Sequence, residues 1–295
     1  MDTEKILKNM QAEKEFFIGI DSDGCVYDTM EIKHKECFCP GFIKHMSFQS
    51  ISKYTREAWE FVNLYSRTRG CNRFLAVLET IKLLKNRSEV IERNPVFPDM
   101  SALEEWIKKE SKLGNPALKK YAENSDEDII HKLLKWSEEV NSTIYDMVNG
   151  IPPFPYVRES LEKCKDKADM IVVSQTPVEA LKREWKEHNI DKYVRIIAGQ
   201  EYGTKTQHIA YAAIGKYDRN KILMIGDAPG DMKAAKTNGV LFYPIIPGKE
   251  ESSWKKFYEE GITKFFKLTF EGDYEKSLID EFEKCLPEKP GWSNE

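Results

Sequence analysis

The pattern of hydrophobic positions divides the chain into segments typical of an α/β domain and one long segment that is helical throughout. The apolar run Phe16–Ile20 predicts a buried strand, and residues 157–245 alternate helical and apolar segments with short connections. Such alternation is typical of parallel strands joined by right-handed crossovers, which form a doubly wound parallel sheet. The elements predicted in this region are helices Val157–Cys164, Val178–His188, Thr206–Ile214 and Asp231–Thr237, and strands Met170–Ser174, Val194–Ala198, Ile222–Gly226 and Val240–Ile245.

Residues 30–149 interrupt this pattern with helical patterning alone. Apolar residues recur there at helical spacing, and Ser101-x-x-Glu104 and Ser125-x-x-Asp128 have the form of capping boxes that begin helices. The residues expected in the core of this segment include its three tryptophans, Trp59, Trp106 and Trp136. The segment is therefore predicted to be an all-helical insertion.

A stiff linker returns the chain from the insertion to the sheet. The prolines of Ile151–Pro155 exclude both a helix and a central strand at this point. We therefore predict an α/β core domain formed by residues 1–29 and 150–295, and an inserted helical domain formed by residues 30–149. From Glu250 onward the pattern is helical again, and this C-terminal extension is expected to pack on the core.

Composition narrows the class of protein. The chain has 295 residues, of which 41% are hydrophobic and 32% charged, which is typical of a globular protein with room for two domains. A net charge of −4 gives no electrostatic reason to expect a nucleic-acid partner. The first residues lack the apolar stretch of a signal peptide, and no run approaches the roughly 20 apolar residues of a membrane span. We expect a cytoplasmic protein without a membrane partner; the sequence does not indicate its oligomeric state.

The six cysteines favour reduced thiols over a disulfide framework, because no secretion signal accompanies them. Cys37 and Cys39, with His34 and His45 nearby, suggest a zinc site at first sight. Their Cys-x-Cys spacing, however, is not the usual Cys-x-x-Cys spacing of zinc ligands. We therefore do not expect zinc.

Two acidic residues and a glycine follow the first predicted strand directly, in the sequence Asp21-Ser22-Asp23-Gly24. Two carboxylates one residue apart can take different roles in the cleavage of a phosphate ester. One attacks phosphorus, while the other moves protons on and off the leaving oxygen. Gly24 would let the backbone approach a phosphate closely. Acid and glycine clusters also form ordinary turns or calcium loops, so the residues downstream decide between these interpretations.

The later predicted strands also end in residues that suit phosphate chemistry. Ser174 offers a hydroxyl, and the loop that begins with Gln175 offers backbone amides, for phosphoryl oxygens. The Lys205 ammonium would neutralise phosphate charge and keep the nucleophile ionised. Asp227, together with Asp21, would supply carboxylate oxygens to Mg²⁺. The nearby Asp231 is a candidate cap for the helix that follows it, a role that is compatible with a further one in the site.

These motifs resemble the four ordered motifs of the haloacid dehalogenase (HAD) superfamily, in its phosphatase branch. The matching segments are Asp21-Ser-Asp-Gly-Cys-Val-Tyr-Asp28, Ser174, Lys205 and Gly226-Asp-Ala-Pro-Gly-Asp231. The resemblance implies a HAD-like Rossmannoid core, and the helical insertion lies where that family carries a C1-type cap. Two departures, Gln175 and Thr206, affect the local loops rather than the chemistry.

The resemblance also implies a role for each residue. Asp21 would be the nucleophile that becomes an aspartyl phosphate. Asp23 would be the general acid and base, and its backbone carbonyl would bind Mg²⁺. The remaining roles are phosphate binding for Gly24, Ser174, Gln175 and Lys205, metal ligation for Asp21 and Asp227, and support of the metal for Asp231.

Basic residues of the insertion are candidates for contact with the rest of a substrate. Arg67, Arg69 and Arg73 surround a glycine at a predicted helix–helix turn, where guanidinium groups could reach an anionic group; a solvated basic turn fits the pattern equally well. Lys33 and His34 follow the first motif closely and could line the site. A solvated helix face is the favoured interpretation of these two residues.

Together these features predict a Mg²⁺-dependent phosphohydrolase that acts on a small phosphorylated metabolite. A phosphomutase is the nearest alternative, because the same two acids could return the phosphoryl group to the substrate. A phosphonatase would need a Schiff-base lysine, for which Lys33 is available. A halide hydrolase is disfavoured, because the proton donor Asp23 has no role in it. The alternative that is not an enzyme is a protein of the same fold that has no catalytic activity and binds a ligand or partner.

Overall fold

The fold consists of two compact units in a computed structural model that describes residues 3–294. Within these residues, one unit comprises residues 3–30 and Gly150–Leu286, and the other comprises Glu31–Asn149 and residues 287–294. We call them the α/β unit and the helical unit. Residues 1, 2 and 295, which the sequence assigned to the core domain, lie outside the described part of the chain. Residues 287–294 belong to the helical unit, although the sequence assigned them to the core as well.

The secondary structure alternates as the pattern predicts in the α/β unit and is helical elsewhere. The strands are β1 Phe16–Ile20, β2 Ala168–Val173, β3 Ile196–Ala198, β4 Ile222–Gly226 and β5 Leu241–Pro244. The α-helices are α1 Thr3–Asn9, α2 Thr29–Ile32, α3 Cys39–His45, α4 Ser52–Asn63, α5 Arg73–Lys85, α6 Ser88–Arg93, α7 Ser101–Lys109, α8 Asn115–Ala122, α9 Asp128–Met147, α10 Val157–Cys164, α11 Val178–Glu187, α12 Lys205–Ala212, α13 Pro229–Asn238, α14 Glu250–Lys256, α15 Ile262–Phe266 and α16 Asp273–Cys285. Shorter 3₁₀ segments are Gln49–Ile51, Asp191–Tyr193, Gln200–Tyr202, Arg219–Lys221 and Gly291–Asn294, and π-helical segments are Lys33–Phe38 and Phe257–Gly261.

The predicted doubly wound parallel sheet is confirmed. Its strand order is β3-β2-β1-β4-β5, and every neighbouring pair is parallel. Ile18 at the centre of β1 lies opposite Met170 of β2 on one side and Leu223 of β4 on the other. Because the strands are parallel, their carboxyl ends meet at one edge of the sheet, and the predicted catalytic residues follow these ends.

Helices cover both faces of the sheet, which explains why β1 is an unbroken apolar run. Ile18 and Ile20 point into one apolar cluster, while Phe17 between them belongs to a second cluster. The C-terminal extension contributes to both clusters, through Trp254 in the first and Phe282 in the second. The extension as far as Leu286 therefore packs on the core, as the sequence predicts.

Aromatic side chains build the core of the helical unit. The three tryptophans predicted there, Trp59, Trp106 and Trp136, are all buried in one cluster. The indole of Trp136 donates a hydrogen bond to the Phe38 carbonyl at 3.1 Å, so its polar edge is satisfied within the core. Trp292 of the last segment contacts the ring of Phe61 at a centroid distance of 5.8 Å, which explains why this segment groups with the helical unit.

Two predicted capping boxes are wrong. Ser101 lies inside α7, where its backbone amide and hydroxyl both donate to the Asp99 carboxylate. The Ser125 hydroxyl accepts from the Glu127 amide before α9 begins. In both cases a short polar side chain bonds a backbone group two residues along the chain, and this local turn competes with a helix cap.

No helix within residues 3–294 has the length and apolar character needed to cross a membrane.

Candidate active site

Asp21 lies at the carboxyl end of β1, in a loop that is held by backbone hydrogen bonds. Its amide donates to the Ile225 carbonyl at 2.9 Å, which continues the pairing of β1 with β4, and its side chain is buried. Gly24 has a φ of +76°, and its amide donates to the Tyr27 carbonyl at 2.8 Å. A positive φ favours glycine, so Gly24 allows the chain to turn back directly after the two acids.

Two buried tryptophans fix the same loop from outside. The indole of Trp185 donates to the Ser22 hydroxyl at 3.0 Å, and the indole of Trp254 donates to the Cys25 carbonyl at 2.7 Å. Both indoles belong to helices that pack in the α/β unit, namely α11 and α14. The position of the two acids is therefore tied to the packing of these helices.

Lys205 bridges two carboxylates at the edge of the sheet. Its Nζ atom lies 2.7 Å from Asp21 Oδ2 and 2.7 Å from Asp231 Oδ1. The other oxygen of Asp231 accepts a hydrogen bond from the Ala228 amide at the start of α13. Asp231 thus joins the helix cap and the active-site cluster, the two roles that the sequence left open for it.

The electrostatics of this cluster favour a bound cation. Burial raises the pKa of Asp21 well above its usual value, and the charges of Asp231 and Asp227 raise it further, while Lys205 acts in the opposite direction. For Lys205, burial alone would lower the pKa, but the two carboxylates outweigh this effect and raise it. The cluster contains three carboxylates and the ammonium of Lys205, so these four groups carry a net negative charge when all of them are ionised.

The oxygen donors of the cluster fit a hard divalent cation. Asp21, Asp227 and Asp231 each offer a carboxylate oxygen, and these atoms lie within 4.8 Å of one another. All three residues are buried, and carboxylate oxygens are the ligands that Mg²⁺ prefers. The sequence predicted Asp21 and Asp227 as direct ligands; the structure adds the Asp231 carboxylate to this group. The Asp23 carboxylate is not part of it.

Gly226 makes room for Asp231 at the end of β4. A Cβ atom built on Gly226 would overlap with the Asp231 side chain. The absence of a side chain at this position therefore lets the Asp231 carboxylate lie against the strand end, within reach of Lys205.

Two threonines orient the Asp23 carboxylate. Thr29 donates to one of its oxygens, and Thr176 donates to the other at 2.6 Å. Asp23 is partly exposed, whereas Asp21 is buried. The two acids of the first motif therefore have different surroundings. Different surroundings are needed if one acid is to act as a nucleophile and the other as a proton donor and acceptor. The sequence analysis missed both threonines; the only available signal was their closeness in the chain to Asp28 and Ser174.

The loop after β2 brings the predicted phosphate-binding residues together. The Ser174 side chain is buried, and its hydroxyl accepts from the Thr176 amide at 3.1 Å. The side-chain amide of Gln175 donates to the carbonyls of Ser174 and Gly203. Gln175 thus links this loop to the one that precedes Lys205, so its side chain contributes to the shape of the loops.

The five basic candidates of the helical unit have different surroundings. Arg67 is exposed and forms an ion pair with Glu288, whereas Arg69 is buried and donates to the Leu64 carbonyl. Arg73 donates to neutral groups of α9, and its guanidinium lies over the Phe38 ring. A solvated basic turn therefore describes Arg67 but not Arg69.

Lys33 and His34 are buried, so the favoured interpretation of a solvated helix face is wrong. Both lie in the π-helical segment Lys33–Phe38. A π-helix has more residues per turn than an α-helix, so side chains here rotate away from the positions that α-helical spacing predicts. His34 accepts a hydrogen bond from the Trp59 indole at 3.2 Å, and its ring stacks on Phe38.

A comparison of the chain with known protein families supports the family that the motifs indicate. Residues 98–245, half of the chain, match the family of haloacid dehalogenase-like hydrolases. The chain belongs to this family. The matched segment contains Ser174, Lys205 and Asp227, and begins after the first motif. No curated protein gives a significant match to the chain.

Several solved structures of this family are similar to the chain. A candidate phosphoglycolate phosphatase from Lactobacillus delbrueckii subsp. bulgaricus has a TM-score of 0.51 and 15% identity, with 83% of this chain and 92% of that chain covered. A haloacid dehalogenase-like hydrolase from Streptococcus pneumoniae has a TM-score of 0.43 and 15% identity, with 82% and 90% covered. A family hydrolase from Xanthomonas campestris has a TM-score of 0.45 and 10% identity, with 88% and 97% covered.

Proposed function

We propose that the protein is a Mg²⁺-dependent phosphatase that hydrolyses a small phosphorylated metabolite through an aspartyl phosphate on Asp21. The observation that carries this proposal is the buried cluster at the edge of the sheet, in which Lys205 lies 2.7 Å from both Asp21 and Asp231. A nucleophile, a cation for phosphoryl oxygens and a set of metal ligands are what phosphoryl transfer to a carboxylate requires.

The reaction would proceed in two steps with balanced proton transfers. In the first, an Asp21 oxygen forms a bond to phosphorus while the bond to the leaving oxygen breaks, and Asp23 gives its proton to that oxygen. In the second, Asp23 takes a proton from water, the water oxygen bonds to phosphorus, and the Asp21–phosphorus bond breaks. Lys205 and Ser174 hold the phosphoryl oxygens in both steps.

The carboxylates of Asp21, Asp227 and Asp231, with the backbone carbonyl of Asp23, would hold Mg²⁺. When bound, the ion supplies positive charge that allows a carboxylate anion to approach a phosphate dianion. Thr29 and Thr176 keep the Asp23 carboxyl group in one orientation for both proton transfers. We assign residues 30–149 the role of a cap domain that selects the leaving group.

The test is a comparison of the wild-type protein with Asp21→Asn and with a matched control, Asp166→Asn, which changes an exposed aspartate of the same unit. Phosphate release from a panel of phosphorylated metabolites, phosphoglycolate and p-nitrophenyl phosphate is measured with Mg²⁺. Asp21→Asn is expected to lower kcat by roughly 10³-fold or more, because the covalent route is lost, while Asp166→Asn has no effect.

Mass spectrometry of acid-quenched protein provides the second measurement, in which a phosphoryl group is expected on Asp21 during turnover. Full activity in Asp21→Asn would contradict the proposal. Transfer of the phosphoryl group back to a substrate hydroxyl would indicate a phosphomutase, and release of phosphate from phosphonates alone would indicate a phosphonatase. Inactivity of the wild-type protein on the whole panel would favour a binding protein.

A further inference from the structure

A cavity of about 470 Å³ lies at the edge of the sheet opposite the candidate active site. Its lining includes Lys14 and Glu15, which directly precede β1, and Lys221, which directly precedes β4. The two strands are parallel, so their amino ends meet at one edge, while Asp21 and Asp227 follow their carboxyl ends at the other. A strand of five residues spans about 16 Å, so the two sites are separate.

The size and the lining of the cavity suit a small polar molecule. Cavities of roughly 300–1,000 Å³ hold small organic ligands. The side chains of the lining are polar or charged except at Gly215, which has none. Gly215 has a φ of +80°, and a Cβ atom built on it would have no neighbour within 4 Å beyond the adjacent residues. The wall is therefore open at this point, where a ligand can approach the backbone.

One lysine uses both carboxylates of the lining. Lys221 Nζ lies 3.0 Å from Glu15 Oε1 and 3.5 Å from Asp218 Oδ2. The other two lysines of the lining, Lys14 and Lys216, form no ion pair with a carboxylate within residues 3–294. The cavity therefore has a net positive charge, and the ammonium groups without a carboxylate partner are those of Lys14 and Lys216.

The ends of two helices hold the Lys216 ammonium in place. Its Nζ atom donates to the Leu7 carbonyl at 2.9 Å and to the Tyr211 carbonyl at 2.7 Å, in the last turns of α1 and α12. These are its two hydrogen bonds within the described part of the chain, and an ammonium has three protons, so the third can bind a ligand. Burial lowers the pKa of Lys216, because the ammonium loses hydration without gaining a carboxylate.

The backbone of Lys14 is fixed, whereas its side chain is exposed. The Lys14 amide donates to Asp169 Oδ2 at 2.9 Å, and the hydroxyl of Tyr217 donates to the same oxygen at 2.6 Å. Tyr217 also lines the cavity, so the buried Asp169 carboxylate connects the segments that carry Lys14 and Lys216. The Lys14 ammonium therefore extends from a fixed point and can adjust to a ligand beside Lys216.

We infer that this cavity binds the phosphate group of a small organic molecule, with Lys14 and Lys216 as its cationic partners. Lysine binds phosphate as a compact point charge, and two such charges suit a dianion. The volume of the cavity leaves space for the rest of the molecule. A molecule bound at this edge is not hydrolysed by Asp21, which lies at the other. The inference does not rest on the proposed function, since none of these residues takes part in the proposed reaction.

Lysine labelling locates the ligand directly. The wild-type protein in EDTA is treated with an acetylating reagent, with and without ribose 5-phosphate, and the labelling rate of each lysine is measured by mass spectrometry. The ligand is expected to slow the labelling of Lys14 and Lys216 roughly threefold or more near saturation, because an occupied site excludes the reagent. Lys182, an exposed lysine of the same unit, is the internal control and should not change. Potassium chloride at equal ionic strength controls for screening.

A variant tests the ammonium groups themselves. The ligand concentration that halves the labelling rate of Lys216 is compared in the wild type, Lys14→Gln and Lys182→Gln. Lys14 is exposed, so its replacement should leave the fold intact. We expect Lys14→Gln to raise this concentration roughly 5- to 20-fold, because a charge-assisted hydrogen bond to phosphate is lost. Lys182→Gln should leave it unchanged.

Inorganic phosphate separates the contribution of the phosphate group from that of the whole molecule. It is expected to protect the same two lysines, but only at a higher concentration than ribose 5-phosphate, because it leaves most of the cavity empty. Equal concentrations for the two compounds would overturn the organic ligand, since a free phosphate ion would then account for the protection.

Three further results would overturn the site itself. They are labelling of Lys14 and Lys216 that neither compound changes, equal protection of Lys182, and an unchanged protecting concentration in Lys14→Gln. Lys216 would then serve only to cap α1 and α12. Failure of the proposed function, in the form of a wild-type protein that hydrolyses no phosphate ester, would leave the labelling results unaffected, because they are read at lysines of the opposite edge.

Discussion

The α/β unit and the helical unit use charged side chains in opposite ways. At the edge of the sheet, the like charges of Asp21, Asp227 and Asp231 lie close together, and the ammonium of Lys205 contacts Asp21 and Asp231. Such a cluster opposes folding unless something else binds to it, so it indicates function.

In the helical unit, Arg87 shows how a charged side chain can be both paired and packed. Arg87 lies over the rings of Tyr54 and Trp292 while it pairs with Glu57 and Glu89. Such pairing stabilises a buried guanidinium and indicates no ligand. An imbalance of charge therefore indicates binding better than the mere presence of charge.

The largest expected effect is the difference between a largely buried lysine of the α/β unit and an exposed lysine of the helical unit. Lys205→Met removes the ammonium and leaves the buried carboxylates without it, so we expect the free energy of unfolding to fall by about 3–5 kcal/mol in EDTA. Mg²⁺ should restore part of this loss, because it would occupy the same cluster. Urea denaturation with and without Mg²⁺ measures both.

The matched variant in the helical unit is Lys44→Met. Lys44 pairs with Glu139 at 2.8 Å, but both side chains are largely exposed, so the expected loss is below about 1 kcal/mol. Equal losses in the two variants, or no response of Lys205→Met to Mg²⁺, would remove the distinction between the two units.

Acid pH provides a second comparison. Burial alone would raise the pKa of Asp169 in the α/β unit, but hydrogen bonds from the Tyr217 hydroxyl and from the amides of Glu13 and Lys14 outweigh it, so the pKa lies below its usual value. A lowered pKa in the folded state stabilises the protein above the unfolded value of about 3.9, and this stabilisation is lost as the pH falls through the folded value.

We therefore expect Asp169→Asn to reduce the free energy of unfolding by about 1.5–3 kcal/mol at neutral pH, with the difference from wild type shrinking below about pH 4. Glu139 in the helical unit also has a lowered pKa, because of its hydrogen bonds from Lys44 and His45, but it is exposed. Glu139→Gln should change the stability much less. A constant difference between Asp169→Asn and wild type from pH 7 to pH 3 would show that the charge of Asp169 does not matter.

The smallest expected effect compares two glycines. An alanine at Gly226 must displace the Asp231 side chain, and we expect a loss of about 1–3 kcal/mol in unfolding free energy. At Gly114 in the helical unit, φ is −168° and the nearest neighbouring atom to an added Cβ lies 3.8 Å away, so Gly114→Ala should be nearly neutral. Thermal denaturation of both variants is the measurement; similar losses would mean that the contact with Asp231 is not what requires Gly226.

The sequence predicts the α/β unit better than the helical unit, for physical reasons. An apolar run identifies a strand, and the handedness of crossovers places consecutive strand ends at one edge, so the closeness of Asp21 and Lys205 follows from topology. The bonds of Thr29 and Thr176 to Asp23 depend on side-chain rotamers, which no spacing encodes.

Helical periodicity in turn predicts that a segment is a helix but not how its faces are oriented. The π-helical segment Lys33–Phe38 rotates Lys33 and His34 into the protein, against the pattern. The contact of Trp292 with Phe61 joins residues far apart in the chain, without any repeat that would reveal it. Both features depend on tertiary packing, which overrides local preference.

The last residues of the chain have a practical consequence. Helix α1 near the amino terminus packs against α12 in the α/β unit, whereas the segment that follows Leu286 is part of the helical unit. A variant that lacks residues 31–149 would therefore keep the segment after Leu286 but remove the ring of Phe61 on which Trp292 packs, so it would expose an indole that is partly buried in the full chain.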